Sequence, residues 1–194
     1  DVRARSESVN GPPVDALLRM CEDQKADVLV VTKHGERATG QTLGSVTFDL
    51  VRRSTVPVFV AHDPVTYDDP PRVRPAHWHR ILVSTDFSSA SHAGVTAAAK
   101  LARQVNATLE IVTVVVDARC PLNVTAQGVE WPEVPQELTK WQKQSADLLA
   151  EMAKSWPGLH VEGRAVVAHE AGAAIVAAAL EGGAGLSVVP AHGR

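Results

Sequence analysis

The sequence VLVVTKHGERATGQTLGS occupies residues 28–45 and decides the fold of this chain. Its first residues, Val28–Val31, form an apolar, β-branched run without alternation, which predicts a strand buried on both faces in a parallel sheet. Gly44 and Ser45 then open a helix, with Ser45 expected to be the N-cap. A further strand, VPVFV, follows at residues 56–60. The segment therefore predicts the order strand, glycine loop, helix, strand.

A glycine loop in this position has a specific chemical use. At the carboxyl end of a parallel strand it leads into a helix N-terminus, where outward N–H groups and the helix dipole favour a phosphate. No Gly-Lys-Ser/Thr follows, so it is not a Walker-type loop. The same glycines, Gly35 and Gly44, are equally explained as loop punctuation and close helix packing, and both interpretations stay open.

Composition excludes several classes of protein. Of 194 residues, 45% are hydrophobic and 21% charged, as in an ordinary α/β domain. The net charge of -3 lacks the excess of positive charge that is typical of nucleic-acid-binding proteins. Apolar runs fall far short of the ~20 residues of a membrane span, so no membrane partner is expected. Two isolated cysteines favour a reducing compartment, and we expect a cytoplasmic protein.

The sequence also repeats itself. Residues 26–35 return as residues 184–193, and residues 11–18 face residues 169–176 at the same shift of 158 positions. A period this long indicates a duplicated domain. Because the chain holds one such period and only 36 residues more, both copies are predicted to be incomplete and the chain to be part of a longer tandem protein.

The repeat sets the expected domain boundaries. Residues 1–62 are the back half of a first domain, with a strand at 1–9 and a helix at 12–24. Residues 63–79, rich in proline and charge, form a linker. Residues 80–194 are a second domain that lacks its last helix and strand. The predicted fold class is α/β, a Rossmann-like three-layer α/β/α arrangement around a parallel sheet.

Within the second domain, the strongest helical pattern has apolar residues spaced by threes and fours. This stripe is expected to face the core, with its tryptophans in core or interface packing. It comprises Leu138, Trp141, Ser145, Leu148, Met152 and Trp156.

Two motifs resemble those of the universal stress protein family. Residues 81–88, ILVSTDFS, are similar to its opening I-L-V-x-x-D-x-S. The loop is similar to G-x-x-G-x9-G-[ST], with Thr32, Gly35, Gly44 and Ser45 at the matching positions. Thr32 replaces the first glycine, and eight residues rather than nine separate the next two. The resemblance covers nearly the whole chain and points to the tandem subgroup, with the adenine nucleotide alpha hydrolase-like fold.

The resemblance implies ATP or a related adenine nucleotide, with magnesium only as its companion. Asp86 would approach the ribose, the backbone of Val115 would meet the adenine, and the glycine loops would take the phosphates. Pro190 stands at a loop glycine of the second copy and has no N–H to offer. The implied nucleotide contacts are Thr32, Gly35, Gly44, Ser45, Val46, Thr47, Ser84, Asp86, Val115 and Gly193.

Alternatives remain for the function. Asp86 is also explained as a helix-capping carboxylate. No nucleophile elbow or metal-ligand cluster is evident, so we expect neither catalytic nor metal-binding residues, and we interpret the repeated His34 and His192 as loop-shaping. The leading hypotheses are a nucleotide-binding regulatory protein of the stress response and a ligand-free scaffold of the same fold. A slow ATP hydrolase is weaker. Homo-oligomers or pairing between the two domains would use edge strands such as 56–60.

Overall fold

The structure is a computed structural model, and it describes residues 3–32, 43–61, 78–117 and 135–190. The chain divides into two compact units, Asp1–Val73 and Arg74–Arg194. Gly35, Gly193, both loop histidines and nearly all of the predicted linker lie outside the described residues.

The first unit consists of α1 (Pro13–Asp23), β1 (Leu29–Thr32), α2 (Ser45–Arg53) and β2 (Val58–Ala61). The two strands pair in parallel, with Leu29 opposite Val58 and Thr32 opposite Ala61. Helices α1 and α2 are in contact, and an ion pair of 2.6 Å joins Arg53 to Asp15 across them. The predicted order of strand, helix and strand is confirmed, while residues 33–42 of the predicted glycine loop lie outside the described residues.

Two predictions for this unit were wrong. Residues 3–9 form no strand and are exposed, because a strand needs a neighbour for its backbone groups and the described part of this unit supplies none. Strand β1 is not buried on both faces either. Leu29 and Val31 are half-buried, whereas Val30 is 60% exposed. The strand alternates because only one of its faces is covered within the described part of the unit.

The second unit alternates strands and helices around one sheet. Its strands run in parallel in the order β5-β4-β3-β6, as the Rossmann-like prediction requires. The elements are β3 (Arg80–Ser84), α3 (Ser89–Val105), β4 (Thr108–Val116), α4 (Gln136–Ala153), β5 (Val161–Ala168), α5 (Ala171–Glu181) and β6 (Leu186–Val188).

Strand alternation divides the core of this unit into two layers. Ile81 and Val83 of β3 pack on one face with α3 and with Leu149 of α4. Leu82, between them in sequence, packs on the other face with Ala178 of α5. The predicted three-layer α/β/α fold is confirmed in this unit.

Helix α4 corrects one sequence interpretation. Leu138 and Leu149 are fully buried, whereas Trp141 and Leu148 are each 53% exposed. The predicted stripe was therefore wrong at Trp141 and Leu148, and Gln142 and Leu149 take these places on the buried side. Ser145 is half-buried, and Met152 and Trp156 pack against the core as expected. Both stripes satisfy a helical period, so only the contacts with β4 and β5 distinguish them.

The duplication is visible in the element bounds. Helix α1 spans residues 13–23 and helix α5 spans residues 171–181, the same bounds moved by 158 positions. Each is followed by a strand, β1 or β6, at the equivalent place. None of the helices in the described ranges combines the length and apolar character that a membrane crossing requires.

Candidate functional site: two strand ends

The end of β1 is tied directly to the start of α2. The hydroxyl of Thr47 donates a 2.9 Å hydrogen bond to the carbonyl oxygen of Thr32, the last residue of β1. Thr47 is buried in the first turn of α2. The bond places Gly44, Ser45 and Val46 next to the strand end, so five of the implied nucleotide contacts lie together in the first unit.

Among the described residues, no side chain caps the N-terminus of α2. Gly44, not Ser45, is the N-cap, with φ of -60° and ψ of 150°, and Ser45 is the exposed first helical residue. The first intrahelical bond runs from the N–H of Phe48 to the carbonyl of Gly44. N–H groups before that point have no intrahelical acceptor. Because glycine offers no capping oxygen, this helix start can accept an anion.

The hydrogen bond also limits what Thr47 can give a ligand. A threonine hydroxyl carries one proton, and the carbonyl of Thr32 takes it. The side chain of Thr47 therefore positions the helix, and only its backbone N–H is left to meet a phosphate. Ser45, whose side chain makes no capping bond, retains a hydroxyl for that purpose.

In the second unit, Asp86 follows the end of β3 and is exposed. Its Oδ1 accepts a 3.0 Å hydrogen bond from the N–H of Ser88. Hydrogen bonds from the side chains of Ser88 and Ser91, with the Ser88 N–H adding to them, hold the pKa of Asp86 well below its usual range. The carboxylate is thus charged at neutral pH and helps to shape the turn into α3.

Unlike α2, helix α3 is capped by its own side chains. The Oγ of Ser88 accepts the N–H of Ser91 at 3.1 Å. The buried hydroxyls of Thr85 and Ser91 lie 3.0 Å apart, and Thr85 Oγ1 accepts the N–H of Phe87, whose φ is 62°. The turn satisfies its own polar groups, as the capping interpretation of Asp86 expects.

The two remaining described contacts, Ser84 and Val115, lie on adjacent strands. Ser84 is buried and pairs with Val112. The N–H of Thr85 bonds to the carbonyl of Val112, whereas the N–H of Asp117 bonds to the carbonyl of Ala168 on β5. The N–H and C=O groups of successive residues point to opposite sides of a strand. Those of even-numbered residues of β4 therefore point toward β3, and those of odd-numbered residues point toward β5.

This alternation decides which residue of β4 can offer its backbone groups to an adenine base. The backbone of Val115 lies in the ladder with β5, where Val115 pairs with Val167. Val116, one residue later, turns its backbone to the side on which β3 has already ended at Ser84. The resemblance named Val115, and the strand register, which the motif does not contain, adds Val116.

Pro190 lies against helix α3. A Cβ built on Gly94 of α3 would lie 2.6 Å from Cγ of Pro190 and 3.0 Å from its Cβ. The ring therefore fills the space beside the glycine. Within the described ranges, no group of three or more His, Cys, Asp or Glu side chains is placed to hold a metal ion.

Comparison with known proteins identifies the family. The model of the universal stress protein family matches residues 1–62 and 77–194. Curated universal stress proteins from two strains of Mycobacterium tuberculosis are each 43% identical over 53 residues, which is 27% of this chain and 36% of their own length. The matching segment thus spans about a third of these relatives.

A solved structure shows the same fold. A universal stress protein from Archaeoglobus fulgidus aligns with a TM-score of 0.54 at 20% identity, covering 89% of this chain and 51% of its own. A universal stress protein in complex with cAMP aligns with a TM-score of 0.44 at 24% identity, over 58% of this chain and 76% of its own. With its parallel sheet, its duplicated elements and a family match over most of its length, the chain belongs to the universal stress protein family.

Proposed function

We propose that this chain is a regulatory protein of the stress response that binds ATP or a related adenine nucleotide through its first unit. The observation that carries the proposal is the start of α2, where a glycine N-cap leaves the first-turn N–H groups without a capping side chain beside the end of β1. A nucleotide phosphate fits this arrangement because it is an anion that accepts several N–H groups at once.

The contacts of the proposed site come from the first turn of the helix. The N–H groups of Ser45, Val46 and Thr47 and the hydroxyl of Ser45 would donate to phosphate oxygens, with Gly35 from the preceding loop. Thr32 adds a side chain where the family motif has glycine, so we expect weaker binding than in a relative with the full motif. Magnesium would enter only with the nucleotide.

In a complete copy of the domain, we propose that ribose and adenine are contacted by Asp86, by Ser84 and by the backbone at Val115 and Val116. In the second unit, Asp86 also stabilises its own turn. A role in binding would require Asp86 to contact the ribose while its Oδ1 keeps the hydrogen bond from the N–H of Ser88.

The test introduces a charge without straining the backbone. Gly44 has an extended conformation that any residue adopts, and aspartate is a good N-cap, so Gly44→Asp should keep α2 folded while placing a carboxylate where phosphate would bind. We expect released adenine nucleotide from freshly purified, denatured wild-type protein. We also expect ATP binding by calorimetry that falls at least about tenfold in Gly44→Asp, a loss of about 1.4 kcal/mol.

Thr55→Asp is the matched control, because it adds the same charge at an exposed position of the same unit outside the helix start. It should bind ATP like the wild type. Binding that survives Gly44→Asp would place the phosphates elsewhere. No released nucleotide and no binding at millimolar ATP would favour the second candidate, a ligand-free scaffold.

The scaffold candidate also has an observation in its favour. Pro190 removes a backbone donor from the strand end of the second unit and packs inward on α3. Such a protein would work through its surfaces, and we propose self-association through the β2 edge strand as its means. The cytoplasm is the compartment we expect for either function, and ATP hydrolysis is the weaker alternative.

A further inference from the structure

The contact between Gly94 and Pro190 is tighter than ordinary packing allows for any larger residue. A Cβ at position 94 would be 2.6 Å from Cγ, 3.0 Å from Cβ and 3.5 Å from Cα of Pro190. Cβ atoms in proteins essentially never come within 3.0 Å of another heavy atom, so one of the two elements would have to move.

Neither side can move easily. The proline ring is closed on its own backbone nitrogen, so it cannot swing to another rotamer as a flexible side chain would. The strand before it is held in the sheet by pairing with β3, from Ile81 opposite Leu186 to Val83 opposite Val188. Helix α3 is held by the buried residues Val95 and Ala98 beside Gly94. An alanine at position 94 would therefore strain the junction of α3 and β6.

Local helix preference argues against glycine at this place. Gly94 is in the second turn of a 17-residue helix, where glycine is a poorer helix former than every residue except proline. A glycine that is unfavourable for the helix and necessary for the contact indicates a tertiary reason for its presence. Gly172, in the first turn of α5, offers a comparison, because its Cβ would meet only the carboxylate end of the Glu170 side chain, at 3.2 Å.

The repeat identifies the counterpart of Pro190 in the first unit. Pro190 corresponds to Thr32 of the first unit at the shift of 158 positions. There, the strand end is held by the hydroxyl of Thr47 at the start of the following helix, and residue 32 keeps its N–H. In the second unit, the ring of Pro190 lies against Gly94 of α3, and residue 190 has no N–H.

We propose that Pro190 and Gly94 form a matched lock that seats the carboxyl end of β6 on α3 and withholds a backbone donor there, so that nucleotide is bound by the first unit alone. The statement about nucleotide rests on the proposed function. The lock itself does not, because it follows from the contact between the two residues.

The lock is tested by urea unfolding of the full chain, followed by tryptophan fluorescence, since all four tryptophans lie after residue 73 and report the second unit. Gly94→Ala should lower the unfolding midpoint, although alanine is the better helix former. Gly172→Ala, the control, should raise it or leave it unchanged. The double variant Gly94→Ala/Pro190→Gly should recover most of the loss, and Gly94→Ala/Pro190→Ala less, because alanine keeps the Cβ.

A Gly94→Ala midpoint that rises like that of Gly172→Ala would overturn the lock. Should Gly94→Ala fail to fold, folding of Gly94→Ala/Pro190→Gly supports the lock and failure of both variants overturns it. ATP titration tests the other half: the wild type should show one ATP-binding event per chain, and Gly44→Asp should weaken that event by at least about tenfold. A second binding event that Gly44→Asp leaves unchanged would overturn the restriction to the first unit. A wild type that binds no ATP would contradict the proposed function, while the unfolding midpoints still decide the lock.

Discussion

The hydroxyl of Thr47 donates a 2.9 Å hydrogen bond to the carbonyl oxygen of Thr32, and this bond holds the start of α2 at the end of β1. Thr47→Val keeps the shape of the side chain and removes the donor. Because a part-buried hydrogen bond is lost, we expect a loss of about 1 kcal/mol in the free energy of unfolding of the first unit. Circular dichroism during urea unfolding measures it, since this unit has no tryptophan.

Ser45→Ala is the control for Thr47→Val. Ser45 is exposed and makes no capping bond, so its removal should change stability by less than about 0.5 kcal/mol while weakening any ATP binding. If Ser45→Ala destabilises the unit as much as Thr47→Val, the hydrogen bond to Thr32 is not what holds the helix start.

Leu148 and Leu149 are neighbours on α4 with opposite environments, one 53% exposed and the other fully buried. Leu149→Ala should cost about 2–5 kcal/mol, because it removes core atoms packed against β5 and leaves a cavity. Leu148→Ala should cost less than about 1 kcal/mol. Tryptophan fluorescence during urea unfolding compares the two. Equal losses of stability in the two variants would indicate that Leu148 also faces the core, as the sequence predicted.

Acid should weaken the second unit through Glu162. Its hydrogen bond from Arg80, with His160 adding to it, holds the pKa of Glu162 below its usual value, and the Glu162–Arg80 contact is 2.5 Å. A folded-state pKa that is lowered contributes stability above the unfolded-state pKa of about 4.3, and this contribution is lost as the pH falls through the folded-state value. Exposure of the pair to water keeps the effect small.

Glu162→Gln removes this titration. The stability gap between wild type and Glu162→Gln should therefore be widest near neutral pH and should narrow below about pH 4. Glu151→Gln, which removes an exposed carboxylate paired with Lys154, controls for the loss of one charge. If the stability difference between wild type and Glu162→Gln were the same near neutral pH and below about pH 4, the titration would not belong to Glu162.

Strand β2 pairs with β1 on one side, and we propose that its other edge pairs with a second copy of the chain. Val58→Glu places a charge on this strand and should shift the protein toward smaller species on a sizing column with light scattering. Thr55→Glu, in the exposed turn before β2, should not. An unchanged mass for Val58→Glu, with the wild-type melting curve retained, would speak against association through β2.

Much of the fold could be predicted from residue order. The run at 108–116 is rich in β-branched residues, which favour a strand, and the structure has β4 with these bounds. Ser88 caps α3, and its place in the sequence is typical of a cap, because a serine before a helix offers an oxygen to the first N–H groups. The repeat indicated that residues 11–18 and 169–176 would form equivalent elements, and they lie at the starts of the helices α1 and α5.

The site was predictable only in part. The motif brought Thr32 and residues 44–47 to one strand end, as the structure has them. It could not show that the Thr47 hydroxyl is already used, nor that backbone direction turns Val116 rather than Val115 toward the end of β3. Hydrogen-bond partners and strand register depend on neighbours distant in sequence, which a local motif does not encode.

What the sequence determined by itself is therefore the class of fold, the duplication and the family motifs, because these depend on local composition, periodicity and spacing. Tertiary structure alone decided which side of α4 is buried, since a helical period is compatible with more than one stripe and only packing on the sheet selects one. It also decided that Gly94 must be a glycine. Position 94 and position 190 are 96 residues apart, and the space for a Cβ is set by the proline ring that the fold brings against it.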